Sequence, residues 1–183
     1  PSIILLAFVG LSLIACNAAG PPSLPDNTQT AVGDAQAHLE RGQELARGGD
    51  ITGAIAEYNQ AIELRPDFTE AFSRRAEAYL AVGNFDQAIQ DFSAVIELEP
   101  DNAEAYLNRG IIQQVSGEVD RAIQDFDQAI RLDPNDPRGF LNRGFAYASM
   151  DQFDRAIPDY DRAIELAPDN ALAYFHRGNA FHA

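Results

Sequence analysis

Residues 103–136 read AEAYLNRGIIQQVSGEVDRAIQDFDQAIRLDPND, and residues 137–170 repeat the same pattern 34 positions later. Each copy holds two segments of helical periodicity that are separated by a short turn and closed by a proline. The closing proline keeps the 34-residue step over four copies, at Pro66, Pro100, Pro134 and Pro168. A period of this length predicts an array of repeated helical hairpins.

Other columns of the sequence keep the same register. Small Gly110 and Ala122 allow two antiparallel helices to approach closely, and Gly117 suits a tight turn because it tolerates positive φ. Small residues recur at Ala54, Ala88, Ala122 and Ala156, and aromatic residues at Tyr58, Phe92, Phe126 and Tyr160. This pattern resembles the tetratricopeptide repeat family. The resemblance implies an all-α fold in which tandem antiparallel helical hairpins stack into a right-handed superhelix, an α-solenoid.

The repeat register divides the chain into domains. We expect the array to occupy residues 34–183, with units at about 35–68, 69–102, 103–136 and 137–170 and a partial unit at 171–183. The first unit has His38 where the later ones have an aromatic residue (Phe72, Tyr106, Phe140 and Tyr174), as expected of an outer, capping hairpin. The chain starts without methionine and stops inside a unit, so we expect it to be part of a longer protein.

The first residues are typical of an export signal. The run from Ile3 to Ala15 is apolar apart from one glycine and one serine. It is shorter than the roughly 20 residues of a membrane-spanning helix and fits the apolar core of a signal peptide at 1–15. Its end, Leu13-Ile14-Ala15-Cys16, resembles the lipobox of bacterial lipoproteins, which implies cleavage before Cys16 and acylation of its thiol. An ordinary export signal with a chance cysteine, or a shortened membrane helix, are the alternatives.

The lipoprotein resemblance implies a place in the cell. We expect a bacterial cell-envelope protein that is anchored in a membrane by lipid and faces the periplasm or the exterior. The sequence does not distinguish the inner membrane from the outer membrane. Residues 16–33 are rich in small residues, proline and polar residues, which predicts a flexible tether between the lipidated cysteine and the array.

Net charge excludes one class of partner. The chain carries 28 acidic and 13 basic residues, a formal charge of −15. Such a surface repels nucleic acid and anionic lipid, so we expect the ligand to be neither a nucleic acid nor the headgroup of an anionic lipid. The single cysteine rules out an internal disulfide.

An arginine stands in every unit just before the position of the small residue in the first helix, where the family most often has an apolar residue. An unpaired charge in a helix–helix seam would cost several kcal/mol, so each arginine needs a partner. An acid follows sixteen residues later in the first four units, which predicts one structural ion pair per repeat, either within a hairpin or across to its neighbour, from the residues Arg41 and Glu57, Arg75 and Asp91, Arg109 and Asp125, and Arg143 and Asp159. The alternative, a ladder that grips phosphates or carboxylates, is disfavoured because the acids recur in step and cancel the charge.

The inner wall of the expected superhelix is lined by the first helix of each unit. This wall is mixed in the early units and turns apolar in the later ones, and exposed apolar patches usually mark interaction sites. We predict a groove for an extended peptide or an amphipathic helix, formed by Leu107, Asn108, Ile111, Leu141, Asn142, Phe145 and Phe175. The alternative is that a C-terminal segment of the same protein covers these groups.

Catalysis is not expected of this chain. Its three histidines do not converge, since His176 and His182 are six residues apart, and no phosphate-binding loop, zinc motif or serine nucleophile motif occurs. We therefore predict no enzyme activity, no metal and no cofactor. The leading hypothesis is a scaffold or adaptor for a protein partner whose identity the sequence does not give. A regulatory or sensing module of a larger protein, and a self-associating array, are the alternatives.

Overall fold

The computed structural model describes residues 27–182, which form nine helices and no strand. The predicted all-α array of tandem antiparallel hairpins is confirmed. The predicted signal segment 1–15 and Cys16 lie outside the described residues. The helices are α1 (Asn27–Arg47), α2 (Ile51–Leu64), α3 (Thr69–Ala81), α4 (Phe85–Leu98), α5 (Ala103–Val115), α6 (Val119–Leu132), α7 (Pro137–Ser149), α8 (Phe153–Leu166) and α9 (Ala171–His182).

The first helix is longer than the sequence predicts. It begins at Asn27, so residues 27–33 are helical although they fall in the expected tether 16–33. Pro25 is the last proline before this helix, and nothing between it and Gly33 forbids helical geometry. Extending an existing helix adds one hydrogen bond for each residue fixed, so a neutral polar segment joins the helix that follows it.

Packing between neighbours builds the array. Each helix packs against the next, and contacts also join odd-numbered helices, as in α1 with α3, α5 with α7 and α7 with α9. Comparable contacts between even-numbered helices are absent from the described residues. The odd helices are therefore crowded together and form the inner wall, while the even helices lie on the outer side.

The turn inside each hairpin needs a left-handed residue. Gly49, Gly83 and Gly117 adopt φ of 87°, 78° and 87°, and Asp151 takes the same place in the fourth hairpin with φ of 58°. A residue with a Cβ pays about 1–2 kcal/mol for this conformation, which aspartate tolerates better than most residues. The fourth turn is therefore built like the others at a small cost in stability.

The core alternates small and large residues. Ala122 and Phe126 of α6 are fully buried, and Phe126 lies against Gly110 of α5. A Cβ at Gly110 would lie 2.7 Å from Cε1 of Phe126, so only glycine lets the ring reach this depth. Burying such a ring contributes about 1.5–3 kcal/mol, and the same arrangement recurs at Gly144 and Tyr160.

Proline inside α8 does not divide the helix. Pro158 is the sixth residue of α8, which still runs for 14 residues, as α4 and α6 do. Pro158 has no amide hydrogen to donate, so the cost is one hydrogen bond near the start of the helix.

Candidate functional site: the arginine column and the inner wall

The structure brings each arginine of the predicted pairs against its acid. Nε and Nη2 of Arg109 donate to Oδ2 and Oδ1 of Asp125, both at 2.7 Å. The side chain of Asp125 is 7% exposed and that of Arg109 20%. The hydrogen bond to Asp125 raises the pKa of Arg109 above its ordinary value, with burial opposing it. The same two-pronged geometry, with distances of 2.6–2.8 Å, joins Arg75 to Asp91 and Arg143 to Asp159.

The first hairpin forms a looser version of the pair. Nε of Arg41 donates to Oε2 of Glu57 at 3.0 Å, and Nδ1 of His38 lies 2.7 Å from the same oxygen. The hydrogen bond with His38 lowers the pKa of Glu57 below its ordinary value; burial opposes this, and the hydrogen bond and charge of Arg41 add to it. His38 therefore takes the place of the aromatic residue of later repeats and joins the polar cluster.

A second acceptor, present for every arginine of the column except Arg41, was missed by the sequence reasoning. Nη1 of Arg109 donates to Ser93 Oγ of the preceding hairpin at 2.9 Å. The four arginines from the second unit onward thereby each tie their own hairpin to the one before it. The other acceptors also lie sixteen residues before their arginine: Asn59 for Arg75, Asp127 for Arg143 and Asp161 for Arg177, each at 2.6 Å. The signal was present in the sequence as a further 34-residue column of polar residues, Asn59, Ser93, Asp127 and Asp161.

Aromatic rings cover the arginine column. The guanidinium carbon of Arg109 lies 5.8 Å from the ring centre of Tyr106, one turn earlier in α5. A cation at this distance is attracted by the ring quadrupole. Matching contacts of 5.4–5.8 Å join Arg75 to Phe72, Arg143 to Phe140 and Arg177 to Tyr174. For Arg75, Arg109 and Arg143 the acid, the second acceptor and the ring are all in place, so these three arginines form a structural brace.

One residue of the predicted groove does not line the inner wall. Leu107 is 2% exposed and belongs to the core formed by Ala122, Phe126, Ala129 and Ala146. The small Ala146 of the next repeat leaves space that Leu107 fills, so its side chain is withdrawn from the inner wall. Leu107 is therefore a core residue and not part of a binding surface.

The other predicted groove residues differ in accessibility. Phe145 and Phe175 are 44% and 61% exposed, which leaves two large rings open on the wall. Ile111 and Leu141 are partly buried against the core. Asn142 donates its side-chain amide to the backbone carbonyl of Arg138 at 2.8 Å, which leaves its side-chain oxygen to serve as an acceptor.

His176 contacts both of the exposed rings. Its ring centre lies 5.1 Å from that of Phe145 and 5.5 Å from that of Phe175, both edge to face. It also stacks on Tyr160 at 5.9 Å. Burial lowers the pKa of His176 and raises the pKa of Tyr160 to about 12. We call Phe145, Phe175 and His176 the aromatic patch.

A polar groove lies further along the inner wall, in the first three repeats. A cleft of about 460 Å³ is bounded by residues of α1, α2 and α3, and a second of about 220 Å³ continues from it towards α5. The two share Arg74 and Glu77, and Asn108 of the predicted groove lines the second. Arg74 lies 3.0 Å from Glu77 and 4.0 Å from Glu70, so the charges here are largely paired with one another. In the sequence, this part of the wall is recognisable only as a mixture of polar and apolar residues.

Residues 27–182 hold neither a candidate metal site nor a candidate membrane-spanning helix. No group of three or more metal-ligating side chains is found there. No helix in that part of the chain has the length and apolar character needed to cross a membrane.

Comparison with known proteins agrees with the repeat architecture. Tetratricopeptide repeat families match residues 73–137, 42–83 and 137–170, which together run from 42 to 170. No curated protein matches the chain. Two crystal structures of MamA superpose with TM-scores of 0.77 and 0.74, at 26% and 28% identity, over 81% and 77% of this chain and 81% and 82% of theirs.

A plant domain shares the fold at lower identity. The TPR domain of Arabidopsis OM64 superposes with a TM-score of 0.61 at 24% identity, over 65% of this chain and 98% of that domain. This likeness concerns the fold alone. With the hairpin geometry and the family matches over residues 42–170, the chain belongs to the tetratricopeptide repeat proteins, whose fold is typical of protein–protein interaction scaffolds.

Proposed function

We propose that this chain is a lipid-anchored scaffold of the bacterial cell envelope that binds a protein segment along its inner wall and performs no catalysis. The observation that carries the binding proposal is the exposure of Phe145 and Phe175, at 44% and 61%, on the concave side of a rigid array. Contact between large rings and water is unfavourable. A partner that covers these rings with apolar side chains removes this surface from water, which favours binding.

The inner wall offers two kinds of contact to one segment. The aromatic patch receives apolar side chains at the α7–α9 end. The polar groove around Arg74 and Glu77 offers paired charges and hydrogen-bonding groups at the other end. An extended peptide or an amphipathic helix that is apolar at one end and polar at the other fits this division.

A matched set of variants tests the binding proposal. A photo-crosslinking amino acid placed at Ile111, between the two regions, would capture proteins in contact with the wall. Phe145→Glu combined with Phe175→Glu should remove the captured bands. Leu64→Glu combined with Leu98→Glu makes the same change at exposed leucines of the outer helices α2 and α4 and should leave the bands unchanged. Equal capture by both double variants contradicts the proposal.

Anchoring through Cys16 is the second part of the proposal. It rests on the sequence Leu13-Ile14-Ala15-Cys16. Each buried methylene of an acyl chain contributes about 0.8 kcal/mol, so several chains hold a protein firmly in a bilayer. In a bacterial host fed with an alkyne-labelled fatty acid, the chain should incorporate label and fractionate with membranes, and Cys16→Ser should abolish the label. Unchanged labelling of Cys16→Ser would reject the anchor while leaving the binding proposal intact.

A further inference from the structure

The second cleft of the polar groove lies on the inner wall between α3 and α5, away from both ends of the array. These two helices are in less contact with each other than the other neighbouring odd helices of the described residues are, which leaves space between them. The cleft has a volume of about 220 Å³, below the roughly 300–1,000 Å³ of pockets that enclose drug-sized ligands. It therefore suits one side chain of a bound segment.

The cleft has an apolar floor and a polar rim. Phe92 and Ala105 line it and are both 2% exposed, so they lie at its buried end. Ser73 at the rim donates its hydroxyl to the backbone carbonyl of Thr69 at 3.0 Å, which leaves the hydroxyl oxygen as an acceptor. The side-chain oxygen of Asn108 is another acceptor. Lysine and arginine match such a cleft, since their aliphatic stem lies on apolar surface while the charged end group reaches polar groups and water.

The positive and negative charges that line the cleft are unequal in number. They are one guanidinium and three carboxylates, those of Arg74, Glu70, Glu77 and Glu104. Nη1 of Arg74 lies 3.0 Å from Glu77, but its Nε is 4.0 Å from Glu70, the outer limit of an ion pair. Glu104 lies 3.6 Å from Arg138, which is bound more closely, at 2.8 Å, to Asp136. Glu70 and Glu104 are therefore the least compensated carboxylates of the cleft, and their side chains are 51% and 67% exposed.

We propose that the second cleft is a specificity site for one basic side chain, lysine or arginine, of the protein segment that binds along the inner wall. The cationic end group lies between Glu70 and Glu104, and the aliphatic stem lies over Phe92. This inference rests on the proposed function, because it assigns a residue type to the polar end of the same segment. The two glutamates attract a cation at short range, and they repel an acidic residue at the same place.

The fold also sets where this basic residue falls in the segment. The cleft between α3 and α5 is about one and a half helix spacings from α7, which carries the exposed Phe145. Packed helices lie about 8–10 Å apart, so the separation is about 12–15 Å. At about 3.3 Å per residue in an extended chain, the basic residue lies about four positions from the apolar residue that contacts Phe145. In a helical segment, at about 1.5 Å per residue, the separation is about eight to ten positions.

Short random peptides displayed on phage supply the probes. They are selected on the 183-residue chain, and only those that lose binding to Phe145→Glu are kept, so that every probe occupies the inner wall. We expect the kept peptides to share one lysine or arginine at either of these spacings from an apolar residue. In each kept peptide the basic residue is then replaced by norleucine, which keeps the aliphatic stem without the charge. The affinity, measured by fluorescence anisotropy, should fall by about three- to tenfold because charge pairs in a partly exposed cleft are lost.

Two double variants of the chain locate the interaction. Glu70→Gln combined with Glu104→Gln removes the two carboxylates of the cleft. Norleucine should then change the affinity by less than about twofold, because both changes remove the same interaction. Glu63→Gln combined with Glu97→Gln removes two exposed charges from the outer helices α2 and α4, and the full loss on norleucine replacement should remain. The two double variants have equal net charge, so the comparison separates the cleft from the general attraction of basic peptides to an acidic protein.

Two results overturn this inference alone. One is a set of kept peptides that share no basic residue at these spacings. The other is an equal effect of the norleucine replacement on binding to the two double variants. Absence of any peptide that depends on Phe145 is a different failure, since it rejects the inner-wall proposal and this inference with it.

Discussion

The pair formed by Arg109 and Asp125 should be among the most costly interactions to break in the array. Arg109→Leu leaves the Asp125 carboxylate at 5% residue exposure without its two donors. Removing one partner of a buried pair costs about 3–5 kcal/mol, and the 20% exposure of the arginine places the estimate near the lower end, at about 3 kcal/mol. The cost lies at the lower end because water can reach the Asp125 carboxylate through the space that the arginine leaves.

Removing the acid instead should cost less. In Asp125→Ala the guanidinium of Arg109 keeps its bond to Ser93 and can turn towards solvent, so we expect a loss of about 1–2 kcal/mol. The double variant Arg109→Leu, Asp125→Ala removes both charges and should be no less stable than Arg109→Leu alone. The resulting coupling energy is about 1–2 kcal/mol, within the range found for contacting residues.

Urea unfolding followed by circular dichroism measures these free energies, and hydrogen exchange shows whether the loss is centred on α5 and α6. Repeat arrays can unfold unit by unit, which makes the local readout necessary. Arg162→Leu is the control, since its pair with Glu165 is 2.9 Å long but has side-chain exposures of 43% and 65%. We expect less than about 0.5 kcal/mol from it. The reasoning is refuted if Arg162→Leu and Arg109→Leu lose equal free energy of unfolding. It is also refuted if the loss in the double variant equals the sum of the losses from Arg109→Leu and Asp125→Ala.

Gly110→Ala should destabilise the array by about 1–3 kcal/mol in urea unfolding through its 2.7 Å clash with Phe126, whereas Gly178→Ala, which meets no such neighbour, should be neutral or stabilising; equal effects would contradict the close-approach argument. Asp50→Ala removes the 2.9 Å bond that caps α2 at Gly53 and should cost about 1 kcal/mol in the same assay; an unchanged midpoint would show that the cap is dispensable. Burial lowers the pKa of His176 in the folded state below its ordinary value of about 6.5. The stability that the neutral imidazole contributes is therefore complete above pH 6.5 and is lost as the pH falls from there through the lowered pKa. Hydrogen exchange of α9 should become faster on acidification after correction for intrinsic rates, and His176→Gln should remove that component.

Much of the brace could be inferred from spacing because two independent columns constrain it. Arginine recurs every 34 residues, and the acid sixteen residues later lies on the facing helix of the same hairpin. The structure brings Arg75 to 2.6 Å from Asp91, and the equivalent pairs of the next two repeats to 2.7 and 2.6 Å. The spacing alone is compatible with a pair inside one hairpin or between two hairpins. The answer is both, since the third nitrogen reaches Asn59 of the preceding hairpin.

The inner wall was harder to predict because exposure there depends on residues of the next repeat. Leu107 and Phe175 occupy the same place in their units, yet one is 2% and the other 61% exposed. Leu107 is covered because the next hairpin contributes Ala146 to the same core cluster. The polar groove escaped prediction for a similar reason, since Arg74 and Glu77 come together by packing and each is an ordinary surface residue in the sequence.

An arginine in the seam performs a task that the family's more usual apolar residue cannot. An apolar side chain holds neighbouring hairpins by packing alone, which is non-directional. The guanidinium of Arg143 instead fixes three helices through directed bonds, two to Asp159 of α8 and one to Asp127 of α6. The angle between successive hairpins is then set by bond geometry, repeat after repeat. A wall of fixed curvature loses less conformational freedom when a partner binds, so a brace that touches no ligand would favour the binding that we propose for the inner wall.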